Sequence, residues 1–291
     1  MSKETIYHYT NLNAFKSIIE NGEMWFTRVD CLNDFSEYNY YKDIFNIARH
    51  EYVLEREIKS TYDLAYLNSF ADNRFIKSRD AHYKKTFTFS LSNIGDSIPM
   101  WNYYSDKSGI AIGFNKELLL IALRKKLNEY YAITQWDIVY NLSEQKDTIK
   151  SQFDNIIEIA NDPELLKDED ITKTTNKVDS VMSNMWGESH MFKENSFEYE
   201  NEFRITLCKF KSHKIDEEFD KTHYIVTGHN IKPVIKIKIA ENWSDILTDI
   251  IISPLNQSNN IIENIHDFLS VNNANIDTNR IIKSKCPIRN L

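Results

Sequence analysis

Cysteine is scarce. Cys31, Cys208 and Cys286 are far apart, odd in number and form no CxxC pair, so neither a disulfide framework nor a cysteine zinc site is expected, and the thiols read as reduced. The longest purely apolar runs, such as "LLLIAL" at 118–123, fall far short of the ~20 residues a membrane span needs. "MSKETIYHYT" lacks a basic segment followed by an apolar one, which gives no export signal. A soluble cytoplasmic protein without a membrane partner is the expectation. P-loop, GxGxxG and GxSxG patterns are missing too, which removes the usual nucleotide-fold and serine-hydrolase signatures. His213, His223 and His229 show no i, i+4 spacing, so no metal site is expected. With a net charge of -8, no general positive field holds nucleic acid, which stays open only as a transient substrate.

What is present is an ordinary globular composition: 42% hydrophobic and 27% charged residues support a sizeable core. No internal repeat and no Pro/Gly/Ser-rich linker divides the 291 residues. A single α+β domain over 1–291 is predicted, its sheet flanked by helices. Residues 5–9 suit a first strand. In "NLNAFKSIIENGE", Leu12, Phe15, Ile18 and Ile19 recur at helical spacing and Gly22 sits where a left-handed cap belongs. "MWFTRV" at 24–29 then predicts a strand returning beside the first. Two helices broken near Ser60 are expected between Asn33 and Arg79. Strands follow at "KTFTFSLS" (85–92), "IAIGF", "YAITQWDIVYN", "EFRITLCKF" (202–210), "THYIVTG", "VIKIKI" and "DIIIS". Residues 143–193 are polar with a helical pattern and read as an insert. A helix over about 257–272 and a strand near 279–283 close the chain.

Three constellations carry candidate chemistry. His8 lies between two tyrosines, with Thr10 two residues later on the same strand face; it is either a half-buried packing imidazole or a donor and acceptor for a ribose or carboxamide. In "FEYENEFRITL", Glu198, Glu200 and Glu202 alternate, so an extended segment points all three carboxylates one way. Arg204 continues that face and is placed to hold Glu202 by a charge-assisted hydrogen bond. A solvated edge strand has the same pattern; a partly buried one would concentrate charge suited to a cationic transition state. Third, "FTFSLS" puts Ser90 and Ser92 on one face, and the following "PMWNYYSD" sets Trp101 and Tyr104 either in a core or against a flat ring. "NDFSE" at 33–37 reads as a helix cap or a cation ligand set.

These motifs, in the order "YHYTNLNAFKSIIENGEMWF", "LNDFSE", "FTFSLS", "MWNYYSDKSGIAIGF", "YENEFRI", "IIISPLN" and "SKCPIR", make the chain resemble the bacterial family known as domain of unknown function 2971. Phe35 stands where that family commonly has proline. The motif order also resembles the ADP-ribosyltransferases, which split the bond between nicotinamide and ribose in NAD. That resemblance implies a split antiparallel or mixed sheet and NAD as the substrate. It implies His8 and Thr10 as ribose ligands, Ser90 in the second motif, Glu202 as the stabilising carboxylate and Glu200 as its helper, while Trp101 and Tyr104 stay the candidates for stacking on a flat ring of the cofactor. His8 and Glu202 are then expected across one cleft. A bacterial toxin or anti-phage effector follows, modifying a protein or nucleic-acid acceptor and answering to an inhibitor or a phage-derived trigger. An NAD glycohydrolase, or an inactive sensor module binding a nucleotide or protein, are the alternatives.

Overall fold

The computed structural model describes residues 4–32, 37–58, 60–127, 131–167, 171–209, 221–227, 230–239 and 243–287. Residues 33–36 of "NDFSE", and His213 and His229, lie outside the described residues. Along the chain run β1 (Thr5–Thr10), α1 (Leu12–Asn21), β2 (Glu23–Arg28), α2 (Glu37–Glu55), α3 (Thr61–Ser69) and α4 (Ile76–Tyr83). Next come β3 (Thr86–Ser92), α5 (Ile98–Tyr104), β4 (Ile110–Asn115), α6 (Lys116–Leu127) and β5 (Tyr131–Asp137). After α7 (Leu142–Asn161), α8 (Pro163–Lys167) and α9 (Ile171–Glu188), the chain returns to β6 (Glu202–Lys209), β7 (His223–Thr227), β8 (Asn230–Lys238) and β9 (Leu247–Ile252). It ends with α10 (Ile261–Val271) and β10 (Ile281–Lys283). No helix among the described residues is long and apolar enough to cross a membrane.

Two compact units emerge. The first comprises Met1–Arg28, Phe87–Asp137 and Glu198–Leu291; the second comprises Val29–Thr86 and Ile138–Phe197. Residues 143–193 therefore fold with the helices of 29–86. Between Glu37 and Tyr83 there are three helices, not two, because a π-turn over Phe70–Phe75 separates α3 from α4.

The first unit starts as its sequence dictates. The Asn11 side chain accepts a hydrogen bond from Ala14 N at 2.8 Å and so caps α1. Gly22, at φ 68°, takes the left-handed conformation that glycine adopts without a Cβ penalty, and its N–H closes the helix onto Ile18 O at 3.0 Å. Phe15 and Ile19 are buried beneath. The expected return of β2 to the side of β1 does not occur. Both strands instead pair with β3, β1 through Tyr7 opposite Ser92 and β2 through Thr27 opposite Thr88 and Arg28 opposite Phe87.

A mixed sheet results, in the order β10-β9-β4-β1-β3-β2-β8-β7, with β6 also paired to β3 and β5 paired to β6. Only β9 and β10 are parallel among the pairs with a defined register. One face of this sheet buries the main apolar cluster, including Ile6, Phe26, Phe89, Leu91, Phe203 and Ile205.

The helical unit has its own core, where Phe45, Phe75, Phe153 and Trp186 meet and Phe75 stacks on Trp186 at 4.2 Å. Glu188 ends α9 inside it. Gln152 Nε2 donates to Glu188 Oε1 at 2.6 Å, whereas Glu188 Oε2 and the Tyr41 hydroxyl are buried without a hydrogen-bond partner among the described residues. Burial raises the Glu188 carboxyl to about 7, against the opposing pull of Gln152. A carboxyl that holds its proton more tightly when folded contributes stability that is complete below about 4.5 and is lost as pH rises towards 7. Glu188→Gln is expected to remove that slope and to stabilise the protein by about 1–3 kcal/mol above pH 7. Thermal unfolding of both proteins between pH 4 and pH 8 checks this; parallel curves would contradict it.

Candidate functional site

A strand has two edges, yet β3 has three neighbours. β6 follows its length: Asn93 N donates to Asn201 O at 2.8 Å at one end, and Thr88 Oγ1 donates to Ile205 O at 3.1 Å further along. The reversed order makes the two strands antiparallel. β1 and β2 consequently share the other edge, β1 at Ser92 and β2 at Phe87 and Thr88, with Ser90 in neither ladder. The sheet splits there.

Strand alternation fixes what each face presents. Phe87, Phe89 and Leu91 point with Phe203, Ile205 and Leu207 into the main core. On the opposite face, Thr88, Ser90 and Ser92 of β3 adjoin Glu202, Arg204 and Thr206 of β6. All of this polar row is buried except Ser90, which is exposed. Solvent reaches the row at the split.

Burial forces the row's charges to pair. Glu202, 3% exposed, takes a fork from Arg204, 2% exposed: Nε donates to Oε1 at 2.8 Å and Nη2 to Oε2 at 3.0 Å. Glu200 precedes β6 on the same side and is buried as well. Its Oε1 accepts the Tyr104 hydroxyl at 2.5 Å, and its backbone carbonyl accepts Ser92 Oγ at 2.7 Å. Burial, followed by the nearby Glu200 charge, raises the Tyr104 phenol and keeps it a proton donor. Thr206 Oγ1 is buried with no hydrogen-bond partner among the described residues. Of the two readings of the three carboxylates, a solvated edge or a partly buried row, the structure has an exposed Glu198 and two buried, hydrogen-bonded glutamates, and the segment before Glu202 is a 3-10 turn over Asn195–Glu200 instead of an extended strand.

His8 points the other way. Its ring packs on Phe89 with centroids 4.5 Å apart, on the face that holds Ile6, and Nδ1 donates to Ser90 O at 3.3 Å. Burial lowers the imidazole to about 4, opposed by the Ser90 carbonyl, so at neutral pH it is uncharged, with Nε2 as an acceptor. Thr10 is buried on that same face. The expectation that His8 and Glu202 face one cleft is therefore corrected: two residues of separation preserve a strand face, and the register through Tyr7 and Ser92 puts Tyr7, not His8, on the carboxylate side. Ser90 joins the two motifs, its side chain in the polar row and its carbonyl held by His8.

Trp101 is also corrected from ligand platform to core. It is fully buried, meets Tyr9 edge-to-face at 4.8 Å and donates Nε1 to Asp96 at 2.7 Å. Sequence reasoning missed Asp96, which also accepts from Ser284 Oγ at 2.5 Å, Lys285 N at 2.7 Å and Cys286 Sγ at 3.1 Å. Its one local signal was an acid just before the proline-started helix α5. Among the described residues no three metal-ligating side chains converge.

Residues 100–205 match the family described as "Protein of unknown function (DUF2971)". The DUF2971 match runs from α5 into β6 and so includes Tyr104, Glu200, Glu202 and Arg204, while His8 and Ser90 precede it. No curated protein and no solved structure matches the chain.

Because His8 contributes one hydrogen bond and an aromatic contact at the split, His8→Ala is expected to cost about 1–2 kcal/mol at pH 7.5. A group whose folded value is depressed to about 4 favours the fold fully only above its ordinary 6.5 and loses that contribution as pH falls. The difference between wild type and His8→Ala should accordingly shrink at pH 5. Urea unfolding at the two pH values measures both effects.

Proposed function

We propose that the protein cleaves NAD and transfers ADP-ribose to an acceptor, at a site centred on Ser90 and the adjoining carboxylates. The observation that carries this reading is a buried Glu202, forked by the Arg204 guanidinium, in the polar row whose exposed member is Ser90. Loss of nicotinamide leaves positive charge on the ribose carbon, and a preorganised carboxylate in a water-poor environment lowers that barrier. The carbon–nitrogen bond breaks with its electron pair leaving on nicotinamide; the acceptor's nucleophilic atom forms the new bond, and its proton passes to Glu200. Tyr104 orients Glu200. His8 acts through β3, holding the Ser90 carbonyl at the split, instead of binding ribose. With water as acceptor the same site would be an NAD glycohydrolase. Transfer to a cellular protein or nucleic acid would make the protein an effector of the toxin or anti-phage class.

A second reading has specific support. The fork from Arg204 neutralises Glu202, and His8 lies on the other face, which suits a nucleotide-binding module without turnover. Incubation with NAD separates these functions: a modified macromolecule, free ADP-ribose with nicotinamide, or binding without consumption. Glu202→Gln keeps the shape and removes the charge, so NAD binding is expected to persist while cleavage falls by about two orders of magnitude or more, each ~1.36 kcal/mol of lost transition-state stabilisation being tenfold. Isothermal titration and nicotinamide release give the two quantities. Full activity in Glu202→Gln would remove this residue from the mechanism.

A further inference from the structure

We infer that Asp249, held by Tyr7, is the ligand for a ribose diol at the far end of the polar face, and that the sugar is the one on the adenosine side of NAD. The inference rests on the NAD-cleaving reading for the identity of the sugar. Its basis is a fault in one ladder. β4 pairs with β9 through Ile112 opposite Ile250 and Phe114 opposite Leu247, so the single residue Gly113 faces both Thr248 and Asp249. Such a bulge turns a side chain out of the regular alternation and often aims one into a neighbouring site. Gly113 makes the new direction available, because a Cβ there would overlap Asp249 Oδ1 and Thr248 Oγ1. The carboxylate therefore lies across β4 towards β1, where Tyr7, opposite Gly113, donates its hydroxyl to Oδ2 at 3.1 Å. Thr248 Oγ1 donates to Oδ1 at 2.6 Å. A second glycine, Gly95, admits the Tyr7 ring, which a Cβ at that position would overlap.

A carboxylate offers two lone pairs on each oxygen, so among the described residues each Asp249 oxygen keeps one open acceptor site. Asp249 is half-buried and within reach of solvent. One open site on each of two adjacent oxygens matches two adjacent hydroxyl groups, and a carboxylate is the group that takes ribose hydroxyls in dinucleotide sites. Position assigns the sugar. Tyr7 stands opposite Ser92 on β3, and β3 pairs on its other edge with β6. Glu202 is thus two strand spacings from Tyr7, roughly 10 Å, while Asp249, on β9, lies beyond β1 and β4. A single ribose cannot touch both carboxylates. The two sugars of NAD, held apart by the diphosphate, can. With the nicotinamide ribose at Glu202, the adenosine ribose falls to Asp249.

The test titrates ADP, 2′,3′-dideoxy-ADP and nicotinamide mononucleotide into wild type, Asp249→Asn and Tyr7→Phe by calorimetry, with nicotinamide release from NAD followed alongside. Asparagine keeps the shape but turns one acceptor oxygen into a donor, so Asp249→Asn should bind ADP at least about tenfold more weakly. Wild type should prefer ADP to the dideoxy compound by a similar factor, whereas Asp249→Asn should bind the two alike. A merely structural role would weaken both equally. Tyr7→Phe removes the donor that fixes Oδ2 and should lose a smaller share of the same preference; it carries the test if Asp249→Asn does not fold. Equal affinity of wild type for ADP and dideoxy-ADP overturns the inference, as does a preference that survives undiminished in the variant that carries the test. A loss confined to nicotinamide mononucleotide also overturns it, because the other sugar would then lie at Asp249. ADP binding that depends on Asp249, without nicotinamide release by wild type, supports the diol site and overturns the NAD-cleaving function instead.

Discussion

The architecture turns on the sharing of one edge of β3 by β1 and β2. Backbone hydrogen-bonding groups run along each side of a strand, and a partner that stops short leaves some unpaired. At Ser90 the gap is met by an imidazole: His8 reaches the carbonyl from one face while the hydroxyl group stands on the other. The divergence lets β1 carry β4 and β9 in one direction while β2 carries β8 and β7 in the other. A continuous three-strand ladder would have closed the one exposed position in the polar row.

The second dependence is electrostatic. Placing Glu200, Glu202 and Arg204 where each is at most 4% exposed is tolerable only with their hydrogen bonds made, because a buried charge that loses its partner costs several kcal/mol. The contacts extend outward from the carboxylates. Tyr104 links Glu200 to α5, Trp101 links α5 to Asp96, and Asp96 holds the segment after β10 through Ser284, Lys285 and Cys286. The closing motif of the chain is thereby attached to the helix that supports Glu200.

Much of this was legible locally. Period-two alternation located the strands, Asn11 and Gly22 bracketed α1, and the spacing of Glu202 and Arg204 placed them on one face of β6, whereas Glu200 lies in the turn before it. Relations between strands were not legible, because they depend on register, and a shift of one residue exchanges the faces. That is why the motifs suggested a shared cleft for His8 and Glu202 when the Tyr7–Ser92 pairing separates them. Trp101 shows a different limit: an aromatic at helical spacing has the same sequence signature in a core as in a binding wall, and only its neighbours Tyr9 and Asp96 decide. The partnership of 143–193 with 29–86 was hidden for a similar reason, since apolar stripes on α2 and α7 do not specify which helix covers which.

The division into interleaved units has a consequence for synthesis. The sheet unit draws on Glu198–Leu291, whereas the helical unit is complete at Phe197. During translation, at roughly 5–20 residues per second, the helical unit has its whole sequence available while β6 to β10 are still to be made. Unit by unit, the helices have the earlier opportunity to fold on the ribosome. The strands β2, β3 and β4 must wait for β8, β6 and β9, which emerge later, with those pairing edges open to other chains in the interval.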